Sequence, residues 1–240
     1  MATYVLVHGG AHGGWCYRKV KRLLEAAGHE VFAPTMTGLA ERSHLLSPDI
    51  DLYFHVDDIV RELHYWDLRD VILVGHSYGG MVITGVADRA HDRVGKLVYL
   101  DAANPSQGQS LVDVSGQTIL VTRTMGKTVD GVELVLLPDM DYYYGVEDSA
   151  DQAWMRERLT GHPWKCFEQP LQLNHEAELW AIPQYHIVCT STVGNRDEGW
   201  PALMQKAREQ NRLWQIDTGH DLMISEPQLV ADALLQIAAS

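Results

Sequence analysis

Cysteine is scarce in this chain. Three occur in 240 residues, Cys16, Cys166 and Cys189, an odd number at wide spacing. That argues against a disulfide framework and suits a reduced compartment, so the cytoplasm is the expected location. Long apolar runs are also missing, and no stretch approaches the roughly 18 residues that a membrane helix needs. The start, MATYVLVHGG, has no basic segment ahead of an apolar core and cleavage site, so no signal peptide is expected. Positive charge is in the minority: 19 Lys and Arg stand against 32 Asp and Glu, a formal charge of −13, with no basic run. An acidic chain repels nucleic acid and anionic membranes, and neither is an expected partner. Repeats, low-complexity segments and boundary-like linkers are absent as well. What remains is a chain of 46% hydrophobic composition, long enough to bury one sizeable core. A single domain over 1–240 is the reading.

The elements alternate. Tyr4 to His8, Glu30 to Ala33, Val71 to Gly75, Lys96 to Leu100, Tyr185 to Thr190 and Leu213 to Ile216 read as strands. The run VILVG, continuously apolar, suits a strand buried on both faces of a parallel sheet. Between them lie helical patterns: Val20, Leu23, Leu24 and Ala27; Val56, Ile59, Val60 and Leu63; a helix from near Tyr78; and a closing helix from Pro227 to Ala238 with Leu229, Val230, Ala233, Leu234 and Ile237 inward. This order predicts an α/β fold, a mostly parallel sheet flanked by helices. Residues from about 105 to 182 break the alternation. They carry VELVLLP, DYYYG and the aromatics Trp154, Trp164, Phe167 and Trp180, and read as an insertion that caps the sheet's carboxyl edge.

Gly75-His76-Ser77-Tyr78-Gly79 matches G-x-S-x-G directly after a buried strand and directly before a helix, the context of a nucleophile elbow. A serine needs a base, and the fold places the histidine last in chain order. His220, in TGHD between the last strand and the last helix, has that position. Acyl transfer also needs backbone N–H donors aimed at an oxyanion. One follows the nucleophile, at Tyr78. The other belongs to a glycine loop after an early strand, here VHGGAHGGW, with Gly10 as the candidate. That loop fits neither phosphate-binding glycine pattern, and His8 and His12 lack a third ligand. His175 in HEAEL is not part of HExxH, because position 179 is Leu. No metal and no cofactor are expected.

By VLVHGGAHGGWCYRKVKRLLEAAGHEVFAPTMTG, VILVGHSYGGMV, VYLDAANP and TGHDLM, the chain resembles the α/β-hydrolase superfamily over nearly its whole length, most weakly across 105–182. Within it the chain is similar to the plant methylesterase and hydroxynitrile-lyase branch and to small bacterial esterases. The resemblance implies a cofactor-free serine hydrolase, an acyl-enzyme on Ser77 and a helical cap over a mostly apolar pocket. Two residues depart from the lyases: Gly9 stands where they carry threonine, and Asp221 where they carry lysine. The triad acid departs from most relatives too. It would be expected near position 193, which is Val193, with Asp197 a few residues late. Asp101, ending the strand after the nucleophile helix, occupies a place that some superfamily members use. Asp101 is the preferred acid and Asp197 the alternative. The expectation is a carboxylesterase acting on small apolar or aromatic esters. A lactonase or thioesterase is the alternative, then a hydroxynitrile lyase or a ligand receptor of the same fold. A cap with exposed aromatics leaves a homodimer open.

Overall fold

The computed structural model describes residues 1–135, 144–191 and 200–240, with the backbone alone at 117 and 118. The first half alternates as read: β1 (Thr3–Val7), α1 (Arg18–Ala26), β2 (Glu30–Phe32), α2 (Leu52–Tyr65), β3 (Val71–His76), α3 (Gly79–Arg89) and β4 (Val94–Leu100). An insertion then supplies α4 (Leu111–Ser115), α5 (Gln117–Arg123), β5 (Lys127–Val129), β6 (Val132–Val135), α6 (Ser149–Arg156), β7 (His162–Pro163), α7 (Lys165–Glu168) and α8 (Glu176–Ala181). The sheet resumes with β8 (Gln184–Cys189), α9 (Trp200–Glu209) and β9 (Leu213–Ile216), and α10 (Leu222–Ser225) and α11 (Pro227–Ala239) close the chain.

The main sheet runs β2-β1-β3-β4-β8-β9, parallel throughout. Every residue of β3 is buried, as its unbroken apolar run requires. The strand order reverses between β1 and β3. Parallel sheets bind ligands at such a switch point, beyond the carboxyl ends of the two strands. Val7 pairs with Gly75 and His76 with Leu100. The register therefore lays the glycine loop after β1, the serine turn after β3 and Asp101 after β4 side by side.

Two expectations need correcting. The cap is not purely helical: β5, β6 and β7 form a three-stranded antiparallel sheet within it. Asp130 and Gly131, at φ +48° and +80°, join β5 to β6. Asp-Gly between two short apolar runs is the strongest local hairpin signal, because both residues tolerate the positive φ of a type I′ turn. Leu229 does not face inward. It is 47% exposed, whereas Val230, Ala233, Leu234 and Ile237 are buried. The first turn of α11 rotates Leu229 off the apolar stripe that α1 covers. Within the cap, Trp164 and Phe167 are buried and Trp180 lies at the surface.

Candidate active site

Ser77 sits at φ +54°, a left-handed conformation that costs a non-glycine residue of order 1 kcal/mol or more and persists only where the surroundings impose it. The turn is closed by Gly80 N–H donating to the Ser77 carbonyl at 3.0 Å, with Ala103 N–H donating to the same oxygen at 3.1 Å. A Cβ on Gly75 would lie 2.6 Å from the Gly79 carbonyl oxygen, so the elbow forms only with glycine on both sides. The serine side chain, half-buried, opens on a pocket also lined by Gly10, Tyr78 and His220.

Asp101, also at positive φ (+45°), is fixed by its N–H to the Ile187 carbonyl at 2.7 Å. Its buried carboxylate meets His220 Nδ1 at 2.6 Å through Oδ2. Cys189 donates its N–H to Oδ1 at 3.2 Å and its thiol to Oδ2 at 3.1 Å. A carboxylate only accepts, so His220 carries its proton on Nδ1 and keeps on Nε2 the lone pair that a base needs. Burial alone would lower the His220 pKa. The Asp101 hydrogen bond, the Cys189 contact and the charges of Asp101 and Asp221 outweigh it and hold the pKa above the ordinary imidazole value. The structure thus brings Ser77, His220 and Asp101 to one sheet edge. Asp197, the alternative acid, lies outside the described residues.

Three histidines hold the glycine loop, and no local pattern in the sequence identifies that role. His8 Nε2 accepts the Met36 N–H at 3.1 Å, so Nδ1 bears the proton and donates to the Gly9 carbonyl at 2.8 Å. Burial lowers the His8 pKa to about 3 and keeps the ring neutral. A trans peptide points its C=O and N–H in opposite directions. Anchoring the Gly9 carbonyl on His8 therefore fixes the plane that carries the Gly10 N–H. His12 Nδ1 meets the Gly10 carbonyl at 2.7 Å, and the Ala11 N–H donates to His162 Nδ1 at 3.2 Å from the cap.

Gly9 is required by space. A Cβ there would lie 2.7 Å from His76 Nδ1 and 3.0 Å from Ser77 Cβ. Gly9→Thr, the lyase residue, is expected to push His76 and the elbow apart. It should lower stability by about 1–3 kcal/mol, the usual cost of overpacking, and reduce ester turnover at least tenfold. Thermal melting and p-nitrophenyl acetate kinetics on the same preparation check both effects.

Tyr78, whose N–H is the other candidate donor, is anchored through its hydroxyl, which donates to His55 Nδ1 at 3.0 Å. His55 in turn donates Nε2–H to the Thr37 carbonyl at 3.0 Å, and burial brings its pKa down to about 4. Among the described residues, His55, His162 and Cys166 form one buried group with potential metal-ligand atoms within 4.8 Å of one another. Its chemistry suits a hydrogen-bonded bracket better than a metal. Both His55 nitrogens already have partners, and burial drives the Cys166 pKa far up, away from the thiolate a metal needs.

With this geometry in view, comparison with known proteins is specific. The alpha/beta hydrolase family matches residues 4–233. The chain belongs to that family. It is 34% identical to a carbendazim hydrolyzing esterase of a Nocardioides species, over 98% of each chain. It is 26% identical to methylesterase 2 of Arabidopsis thaliana, over 98% of this chain and 95% of the relative. An extracellular alpha/beta-hydrolase from a Paenibacillus species superposes with a TM-score of 0.82 at 22% identity, over 98% of both chains, which shows the shared fold. The named sequence relatives are esterases by name, and this alpha/beta hydrolase carries a serine at positive φ, a histidine and a buried acid at the carboxyl edge of its sheet. Among the described residues no helix is long and apolar enough to cross a membrane.

Proposed function

We propose that the protein is a serine-dependent carboxylic ester hydrolase for compact, uncharged esters, acting through an acyl-enzyme on Ser77. The observation that carries this reading is the 2.6 Å contact of His220 Nδ1 with Asp101, beside a serine held at positive φ. His220 Nε2 takes the Ser77 hydroxyl proton as Oγ attacks the ester carbonyl. The Gly10 and Tyr78 N–H groups receive the oxyanion. As the intermediate collapses, the C–O bond to the alcohol breaks and His220 returns the proton to the leaving oxygen. A water then gives its proton to His220 and attacks the acyl carbon, and collapse releases the acid and restores Ser77.

The substrate class follows from the walls. Leu111, Ile119, Tyr144 and Phe167, all apolar or aromatic, are among the side chains that line the pocket. No lysine, arginine, aspartate or glutamate is among the described residues that line it. Methyl esters and carbendazim, the substrates after which the relatives are named, are the first compounds to assay.

In an open apolar groove each added CH₂ contributes about 0.8 kcal/mol, nearly fourfold in kcat/KM. Walls as bulky as Leu111, Ile119, Tyr144 and Phe167 around Ser77 reverse that trend. Hydrolysis of p-nitrophenyl acetate and butyrate is expected to exceed that of the decanoate at least tenfold in kcat/KM. A rate that climbs steadily to the decanoate would overturn the compact-ester reading. Absence of turnover on every ester by folded protein would overturn the esterase reading and favour a ligand-binding role.

A further inference from the structure

Asp221, the residue after the catalytic histidine, belongs to no step of the proposed reaction, yet it is completely buried. Its Oδ2 lies 2.9 Å from His12 Nε2 and its Oδ1 3.6 Å from His76 Nε2. His12 is equally enclosed, stacked on Trp15 at 5.2 Å and edge-on to Tyr144 at 5.3 Å. Both of its ring nitrogens face acceptors: the Asp221 carboxylate at Nε2 and the Gly10 carbonyl at Nδ1. A neutral imidazole has one N–H and would leave one acceptor facing a lone pair. The doubly protonated ring satisfies both, with the carboxylate as counter-charge.

We infer that His12 and Asp221 form a buried ion pair that fixes the Gly10–Ala11 peptide of the oxyanion loop, the plane next to the one His8 fixes, and so helps to hold the Gly10 N–H in register with His220. The inference rests on the hydrolase reading and on Gly10 as an oxyanion donor. Three features support it. Ala11 is at φ +65°, so the loop sits in a conformation that must be imposed from outside. Its other anchors are His8 on the Gly9 carbonyl and, from the cap, His162 on the Ala11 N–H at the far side of the Gly10–Ala11 peptide and the Thr160 N–H on the Ala11 carbonyl at 3.0 Å. Only His12 acts on the Gly10 carbonyl among the described contacts, and its counter-charge comes from the loop that carries the base. The His76 Nε2–H, next to Ser77, donates to the His220 carbonyl at 3.0 Å. Asp221 thus lies where the oxyanion, nucleophile and base segments converge. Burial would raise its pKa, but the charge and hydrogen bond of His12, with smaller contributions from His76 and His220, hold it below the ordinary carboxylate value.

The pair acts through Gly10 and touches no reacting atom, so its loss should weaken the transition state more than substrate binding. Asp221→Asn keeps the shape and removes the counter-charge, so His12 becomes neutral and its Nδ1–H bond to the Gly10 carbonyl loses the charge that strengthens it. The expected result is a 10- to 100-fold fall in kcat on p-nitrophenyl butyrate with KM within threefold. Loss of a whole oxyanion donor costs about 10²–10³, so a displaced donor costs less. Inhibition by an aryl trifluoromethyl ketone, which presents an oxyanion once Ser77 adds to it, should weaken by the same factor. Binding of the uncharged product alcohol should not change. If Asp221→Asn does not fold, His12→Gln with Asp221→Asn removes both buried charges together and carries the same expectation, because paired neutral replacement is tolerated where single loss is not. A folded variant with wild-type kcat, or one in which kcat falls while trifluoromethyl ketone affinity holds, overturns the inference. Ser77→Ala in the same assay separates the cases. Turnover persisting there would remove the hydrolase reading itself.

Discussion

Asp101→Asn is expected to lower kcat about 10³- to 10⁴-fold, through the tautomer of His220. The carboxylate of Asp101 receives the Cys189 N–H on one oxygen, and the His220 Nδ1–H and the Cys189 thiol on the other. An asparagine that keeps its oxygen toward the Cys189 N–H turns its NH₂ toward His220. Nδ1 must then accept, Nε2 keeps the proton, and the base cannot take one from Ser77. The opposite orientation sets NH₂ against the Cys189 N–H and leaves two donors facing each other in a buried site. Either choice is costly, and the same change in a Ser-His-Asp triad elsewhere costs about 10⁴.

The same replacement has a signature in pH. Asp101 is the largest of the influences that raise the His220 pKa. A raised pKa keeps imidazolium present at higher pH, and imidazolium cannot act as base. The wild-type acid limb of kcat/KM should therefore have its midpoint above the ordinary value near 6.5. In Asp101→Asn the residual activity should show that midpoint displaced to lower pH. Asp197→Asn is expected to stay within about twofold of wild type with an unmoved limb. If Asp197→Asn instead shows the large loss and Asp101→Asn does not, the acid has been misassigned.

Much of this site was legible because its signals are local. Ser77 is marked by five residues and their flanks, His220 by its place between the last strand and the last helix, and Asp101 by the end of a strand. The parallel sheet was legible for the same reason, since VILVGH and KLVYL are apolar without interruption. What escaped depends on distance along the chain. The His12–Asp221 contact spans 209 residues and the Ala11–His162 contact 151. No periodicity links such partners. A faint signal did exist: two histidines four apart in a glycine loop, and an acid beside the candidate base. Neither completes a metal or lyase pattern, and the second of those histidines, His12, meets that acid, Asp221. The cap sheet was missed differently. Asp-Gly between KTV and VEL announces a hairpin, whereas the helical cap is what the family resemblance implies rather than what these residues show.

Ser77→Ala is expected to abolish turnover, with kcat falling by about 10⁵- to 10⁶-fold, the scale on which loss of a triad nucleophile is felt. The variant should fold. Alanine is smaller than serine, the turn is held by backbone donors from Gly80 and Ala103, and the positive φ costs alanine about what it costs serine. The pocket walls and the oxyanion donors stay in place, so binding of a non-hydrolysable ester analogue should change by less than about threefold. The contrast between lost chemistry and kept binding is what the reading demands. Labelling with a fluorophosphonate supplies the direct test, since one adduct per chain on Ser77 should form in the wild type and none in the variant. If Ser77→Ala still hydrolyses p-nitrophenyl acetate with saturation, another nucleophile does the chemistry. If the wild type binds esters without turning them over and takes no label, the elbow, the base and the acid serve a binding site.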